Sequence, residues 1–332
     1  MLNFGIVGLN GGNGHPYSFS AVFNGYDPKA LERFCDYPII REYLTKFHCN
    51  REFIANARID CVYAPEQGAA ERVAKVAKIP HVASSLDELA ERCDAILFTR
   101  DDIWNHWEMA GKLFRTGKPI YMDKVLASTP EELEKFIAAA GPDYPLMTAS
   151  SFRFAPEVAA AKREVDMTKL MTVRGMSPCI WVRYAPHLLD ALFELCGRDV
   201  VRVQNSGRDR ADIVTLTYRS GLQAVLQIFE GISLPLGLEL HFKAGTPPRA
   251  VPYTDPTLES YFFSIAEMMR AFTEMVATGK RRVSWAETVH MNRVVLAGIA
   301  SRERGGCAVQ MDEFMSDAQE RAGAAVSGSA LT

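Results

Sequence analysis

"FGIVGLNGGNGHPYSFS", residues 4–20, decides how the first half of the chain is read. A short apolar run ends in a cluster of glycines, and a polar stretch able to start a helix follows. This nearly spells G-x-G-x-x-G, the loop that turns tightly, lets backbone approach a pyrophosphate and aims a helix N-terminus at it. Counted from Gly8, the second and third glycine positions fall on Asn10 and Asn13. Gly11, Gly12 and Gly14 keep the loop pliable, and asparagine enters left-handed backbone more readily than most residues. The expectation is a cofactor loop made by Gly8, Asn10, Gly11, Gly12, Asn13 and Gly14, with His15 at the start of the helix. His15 there is close to pyrophosphate or substrate, or is a simple cap. A glycine-rich turn without a ligand is the alternative.

Outward from this loop, strand-like and helix-like segments alternate. Strands are expected at Phe4–Gly8, Ile59–Tyr63, Ala95–Thr99, Pro119–Met122 and Leu146–Ala149. Helices are expected at about 67–77 and 105–116. Such alternation implies an α/β, Rossmann-type, doubly wound parallel sheet over residues 1–150. Capping boxes at Ser85–Glu88, Thr129–Glu132 and Ser284–Glu287 mark helix starts.

The second half, 151–332, reads differently. Longer strands at Val200–Val203, Ile213–Tyr218, Leu222–Phe229 and Leu238–Ala244, with a hairpin turn in "YRSGLQ", predict an α+β domain with an open, mostly antiparallel sheet. In "LQAVLQIF", Leu222, Ala224, Leu226 and Ile228 share one face. Val225 and Phe229 leave the other too apolar to be plainly solvated, which points to a homo-oligomer, dimer or tetramer, joined through this sheet. Two helices, about 258–278 and 285–302, close the domain, and the Ala-, Gly- and Ser-rich tail after about 316 reads as disordered.

Composition narrows the function classes. The 332 residues exceed one small core. A formal net charge of -3 argues against nucleic acid. Seven cysteines without CxxC spacing suggest reduced thiols and a cytoplasmic protein, with no zinc site. No signal peptide or membrane-spanning stretch is read, so no membrane partner is expected.

Two features are irregular. The second strand of a mononucleotide unit ordinarily starts about 20 residues after the glycine loop. Here about 30 extra residues intervene, a helical insertion over about 25–57 that reads as a surface addition or as a wall of the ligand crevice. Asp27 lies at the customary interval for a ribose carboxylate, but inside the turn "GYDP", and is read as a decoy. The second strand tip carries Ala64-Pro65, with Glu66 as a displaced substitute. The cofactor is read as NAD or NADP, the preference left open.

"ILFTRDDIWNHWEMAGKLFRTGKPIYMDKVLAST" resembles the glucose-fructose oxidoreductase, inositol dehydrogenase and rhizopine catabolism family, Gfo/Idh/MocA. That family has a Thr-Pro turn, a histidine opening a helix, a Gly-Lys, a strand and then Glu-Lys-Pro. This chain has Thr99-Arg100, His106, Gly117-Lys118 and Asp123-Lys124-Val125, the last residue departing from the family proline. "SFRFAPEV" (151–158) and the closing segment from Arg281 carry further likeness, so the resemblance runs from about residue 2 to 313. It implies an NAD(P)-dependent dehydrogenase or reductase acting on the carbinol carbon of a sugar, cyclitol or related polyol. Thr99, Arg100, His106, Asp123 and Lys124 would then border the cofactor. Lys124 matches the lysine that sits by the reacting carbon, where an ammonium polarises a hydroxyl or carbonyl oxygen.

In "WVRYAPHLLDALFEL", His187, Asp190 and Glu194 fall near one helix face. The family carries Asp-x-x-x-His-x-x-Asp here. His187 and Asp190 match, and the earlier aspartate is replaced by Arg183. The resemblance implies catalysis by Lys124 and His187 with Asp190, and Tyr184 is the candidate relay. A histidine packed at a domain junction is the other reading. Arg153 contacts a polar substrate group or braces the domain junction. Substrate-binding residues are thus read as Lys124, Arg153, Tyr184 and His187, with no metal, in the crevice between the domains. Two other readings stand: a non-redox binding or regulatory protein on the same scaffold, and a lyase or glycosidase-like enzyme using tightly held NAD transiently.

Overall fold

A computed structural model of the chain describes residues 1–48, 53–208, 210–253 and 258–314; the expected disordered tail after 316 lies outside them. The chain divides into two compact units. The first comprises Met1–Leu126, Ala138–Ser151 and Thr257–Trp285; the second comprises Ala127–Ile137, Phe152–Pro256 and the chain from Ala286.

The first unit holds six strands, β1 (Leu2–Val7), β2 (Ala57–Tyr63), β3 (His81–Val82), β4 (Ala95–Phe98), β5 (Ile120–Met122) and β6 (Leu146–Met147). They pair in the order β3-β2-β1-β4-β5-β6, and every pair is parallel. Strand order therefore reverses between β1 and β4, the switch point where ligands lodge beyond strand C-termini in such sheets. β4 and β5 are wholly buried, as strands covered on both faces must be. Phe4 of β1 and Tyr121 of β5 pack on Phe272 of the helix Glu259–Thr278, at 5.5 and 6.0 Å. Ser85 caps its helix as expected, with one displacement. Ser85 Oγ accepts from the Glu88 amide, but Glu88 reaches back to the Ser84 amide rather than to that of Ser85.

The insertion forms two short helices, Pro28–Phe34 and Pro38–Tyr43, and a π turn, Leu44–His48. Asp27 caps the first by accepting from the Ala30 amide, which accounts for an acid at that misleading interval. The Tyr37 and Ile40 side chains lie so close to Gly14 that a Cβ there would collide with both. The insertion is thus packed on the end of the glycine loop.

The second unit is built on seven strands: β7 (Leu170–Pro178), β8 (Val200–Asn205), β9 (Ala211–Tyr218), β10 (Gln223–Phe229), β11 (Gly237–Phe242), β12 (Arg249–Pro252) and β13 (Val309–Gln310). Their order is β12-β11-β7-β10-β9-β8-β13, antiparallel except for β10 with β7. The hairpin turns at Gly221, whose φ of 86° suits glycine. The expected alternation along β10 is present: Ala224, Leu226 and Ile228 are buried, while Val225 and Phe229 are half-buried on the opposite face.

The sequence predicts no strand at β7, an interior strand of the sheet between β11 and β10. Its interior positions include Gly175 and Ser177, so apolar alternation is faint. Gly175 is required there: a Cβ would stand 2.6 Å from Leu226 and 3.3 Å from Leu188 of the helix Trp181–Cys196. That close approach seats the helix carrying His187 on the sheet.

Candidate active site

The glycine loop links β1 to the helix His15–Asn24. Asn13 donates its backbone N–H to the Asn10 carbonyl, closing a tight turn with Gly12 at φ 82°. Neither asparagine takes a left-handed conformation, which corrects the reason expected for them. Their side chains do the anchoring. Asn10 Nδ2 donates to Asp101 Oδ1 (2.8 Å), Asn13 Nδ2 donates to the Thr99 carbonyl (2.8 Å), and Asn13 Oδ1 accepts from the His15 amide (2.8 Å). The loop is pinned to the tip of β4 from within. Gly11 and Gly12 remain exposed, and a Cβ on either would meet nothing within 4 Å. The outer edge of the loop is open at these two glycines.

The residues at the tip of β4 divide their work. Thr99 is buried and spends its hydroxyl on the Val7 carbonyl (2.8 Å). His106 is buried with Nε2 2.9 Å from the Arg100 carbonyl. Arg100 is buried too. Its Nε and Nη2 form a fork to Asp102 (2.9 and 2.7 Å) while Nη1 donates to Glu66 (2.9 Å) and more weakly to the Leu9 carbonyl. Burial would lower the guanidinium's pKa, but the hydrogen bonds to Asp102 and Glu66 outweigh it and hold it above the ordinary value. The side chains of Thr99 and His106 therefore tie backbone together, and Arg100 locks Glu66 at the tip of β2.

Asp123 and Lys124 follow β5. Asp123 is 1% exposed and Lys124 6%. Asp123 Oδ1 lies 3.6 Å from Lys124 Nζ, and Oδ2 lies 2.5 Å from His15 Nδ1. Burial alone would raise this carboxyl's pKa. The adjacent Lys124 ammonium, and after it His15, reverse the effect and hold it well below the usual carboxylate range. One buried carboxylate thus serves a lysine and a histidine. His15 was expected by its place in the loop; its pairing with Asp123 was not.

In the second unit, Tyr184 and His187 lie half-buried on the helix Trp181–Cys196, their rings 5.3 Å apart. Tyr253 stands 5.4 Å from His187 and stacks on Phe152 at 4.6 Å, an aromatic neighbour the sequence reading missed. Arg153 takes the geometry of a brace. Its Nε donates to Asp190 (3.1 Å), Nη1 to Glu194 (2.9 Å) and Nη2 to Glu287. It is 6% exposed, with a carboxylate on each nitrogen. Asp190, 1% exposed, is committed to that network. Arg183 is half-buried. Among the described residues no cluster of three or more His, Cys, Asp or Glu is arranged to hold a metal, and no helix is long and apolar enough to cross a membrane.

A parallel sheet ordered 3-2-1-4-5-6, with a glycine loop at its reversal, places the first unit in the class of dinucleotide-binding Rossmann domains. Comparison with known proteins narrows this. Residues 34–142 match the family model GFO_IDH_MocA, described as "Oxidoreductase family, NAD-binding Rossmann fold", which bears out the Gfo/Idh/MocA resemblance over that stretch. The match takes in Thr99, Arg100, His106, Asp123 and Lys124 and starts after the glycine loop. A Salmonella typhimurium protein named "Putative oxidoreductase YceM" is 33% identical over 95 residues, 28% of this chain and 30% of that protein's length. Among solved structures, scyllo-inositol dehydrogenase from Lactobacillus casei, crystallised with NAD(H) and scyllo-inositol, superposes with a TM-score of 0.70 at 13% identity. It covers 94% of this chain and 99% of that one. Myo-inositol 2-dehydrogenase from Lactobacillus plantarum gives 0.70 at 15% identity, over 93% and 99%. At such identities the likeness is one of fold.

Proposed function

We propose that the chain is an NAD(P)-dependent dehydrogenase or reductase acting on the carbinol carbon of a sugar, cyclitol or related polyol. The observation that carries this reading is the buried Lys124 beside Asp123 after β5, inside the stretch that matches the oxidoreductase family model. The inositol dehydrogenases of like fold support the substrate class by analogy.

The loop fits a dinucleotide: Gly11 and Gly12 offer backbone amides to a pyrophosphate with no side chain in the way. Glu66, held by Arg100, offers its remaining lone pairs to a ribose. A bound nicotinamide dinucleotide supplies the two-electron step by accepting or giving a hydride. The chain's own part is to orient the carbinol oxygen and handle its proton. Lys124 is proposed to donate from Nζ to that oxygen, its charge balanced by Asp123. His187 is proposed as its partner and Tyr184 as relay, on the motif that carries them. Asp190 acts on these residues as part of the Arg153 network. The half-buried outer face of β10 is proposed to join copies into a homo-oligomer, and the chain to work in the cytoplasm.

One observation favours a second reading, a binding protein without redox turnover. Asn13 Oδ1 already takes the His15 amide, Pro16 has none to give, and Tyr37 and Ile40 crowd Gly14. Turnover separates the two. Reduction of added NAD or NADP over a panel of polyols, read at 340 nm, is expected for wild type. Lys124→Met is expected to lose about two to four orders of magnitude in rate, the scale of a lost acid–base group, with cofactor affinity changed by no more than a few-fold. A variant as fast as wild type removes Lys124 from the reaction.

A further inference from the structure

The geometry points to His15 as a further acid–base residue of this site: an Asp123–His15 dyad beside Lys124, with imidazole Nε2 as the atom that takes the proton of the substrate hydroxyl. The inference rests on the dehydrogenase reading above and adds a residue outside the family pattern that suggested it.

Three observations carry it. His15 Nδ1 lies 2.5 Å from Asp123 Oδ2, and that carboxyl, held strongly ionised, can only accept. Nδ1 must therefore carry the hydrogen, which leaves the neutral ring with its lone pair on Nε2. The ring is also fixed in plane, stacked on Phe19 at 4.9 Å with 8° between the planes. Finally, the side chain is 24% exposed, and among the described residues Nε2 makes no hydrogen bond. A buried acid, an oriented imidazole and an outward lone pair form the arrangement of a general base with its orienting partner. The same carboxylate faces Lys124 Nζ through its other oxygen at 3.6 Å, so the ammonium and the imidazole share one buried counter-charge within one compact unit.

The step balances as follows. The substrate O–H bond breaks and its proton passes to Nε2, giving an imidazolium stabilised by Asp123. The carbinol C–H leaves as hydride to the oxidised nicotinamide dinucleotide, and a carbonyl forms. Lys124 stays an ammonium throughout and polarises the oxygen. The imidazolium then releases its proton to water, for which its partial exposure provides the route. In the reductive direction the imidazolium is the donor.

Two measurements on the full chain test this. The first is the imidazole 15N spectrum, with the His15 signals assigned by their loss in His15→Asn. A protonated Nδ1 with a lone pair on Nε2 is expected; a hydrogen on Nε2 and none on Nδ1 overturns the dyad, whether or not the protein turns over. The second is steady-state kinetics. Asparagine keeps an amide donor near Asp123 but has no ionisable group. His15→Asn is therefore expected to lower kcat by about 100-fold or more, the scale of a lost acid–base group, with KM and dinucleotide affinity within about 3-fold. Added imidazole is expected to restore part of the rate of His15→Ala. Unchanged kcat in His15→Asn, or an equal loss that imidazole does not touch, leaves His15 a structural residue and refutes the proposal. If wild type binds no nicotinamide dinucleotide, the dehydrogenase reading fails and the catalytic role falls with it, while the spectrum still judges the dyad.

Discussion

Asp123 concentrates the chemistry of the first unit in one side chain. It is 1% exposed, yet it stays ionised because Lys124 and His15 share its two oxygens. Its folded pKa is depressed, so it stabilises the fold above the unfolded carboxylate value near 4, and that contribution is lost as pH falls below it. Asp123→Asn leaves a buried ammonium without its counter-charge and is expected to cost about 3 kcal/mol at pH 7. The gap to wild type should begin to narrow as pH falls from about 4 towards 3, where the unfolded wild-type chain takes up the Asp123 proton while the folded carboxyl stays ionised. Urea unfolding at the two pH values measures this; a gap independent of pH would show that the carboxylate charge is not what stabilises the site. Asp123 and Lys124 were legible in the sequence because they sit side by side in a recognisable motif. His15 was legible as a residue of the loop, but its pairing with Asp123 was not, because 108 residues separate the two and no local pattern couples them.

At the scale of elements, the glycine loop shows how a departure from a motif can be a substitution of means. Where the fingerprint has glycines, Asn10 and Asn13 hold the loop to Asp101 and Thr99 by side-chain hydrogen bonds. Sequence reading found the loop and gave the wrong physical reason, since side-chain partners 86 and 91 residues away are invisible from the loop alone. Asn13→Ala would strand the buried Thr99 carbonyl and the His15 amide together. A loss of about 2 kcal/mol is expected from two unsatisfied groups, read as a lowered denaturation midpoint with an unchanged m-value. A variant as stable as wild type would mean that water replaces the asparagine without cost. Strand β7 was illegible for a different reason: Gly175 marks a close approach by Leu188 and Leu226, which in sequence reads as a broken apolar alternation.

Across the whole molecule, the alternation of short apolar strands and helices foretold the parallel sheet, and the longer strands foretold the antiparallel one. What the pattern could not supply was strand order, because β10 pairs with β7 in parallel across the intervening β8 and β9. The outer face of β10 is the surface proposed for assembly. Val225→Lys is expected to convert a dimer or tetramer into monomer in light scattering, by placing a charge where apolar surface would be buried. An unaltered mass would move the interface elsewhere. The proposed dehydrogenase activity requires that the pinned loop grip a nicotinamide dinucleotide through Gly11 and Gly12. Calorimetric titration of the full chain with NAD and NADP, each oxidised and reduced, tests that directly. Saturable binding of at least one of the four in the micromolar range is the predicted result. No heat of association from any of them up to millimolar concentration would contradict it.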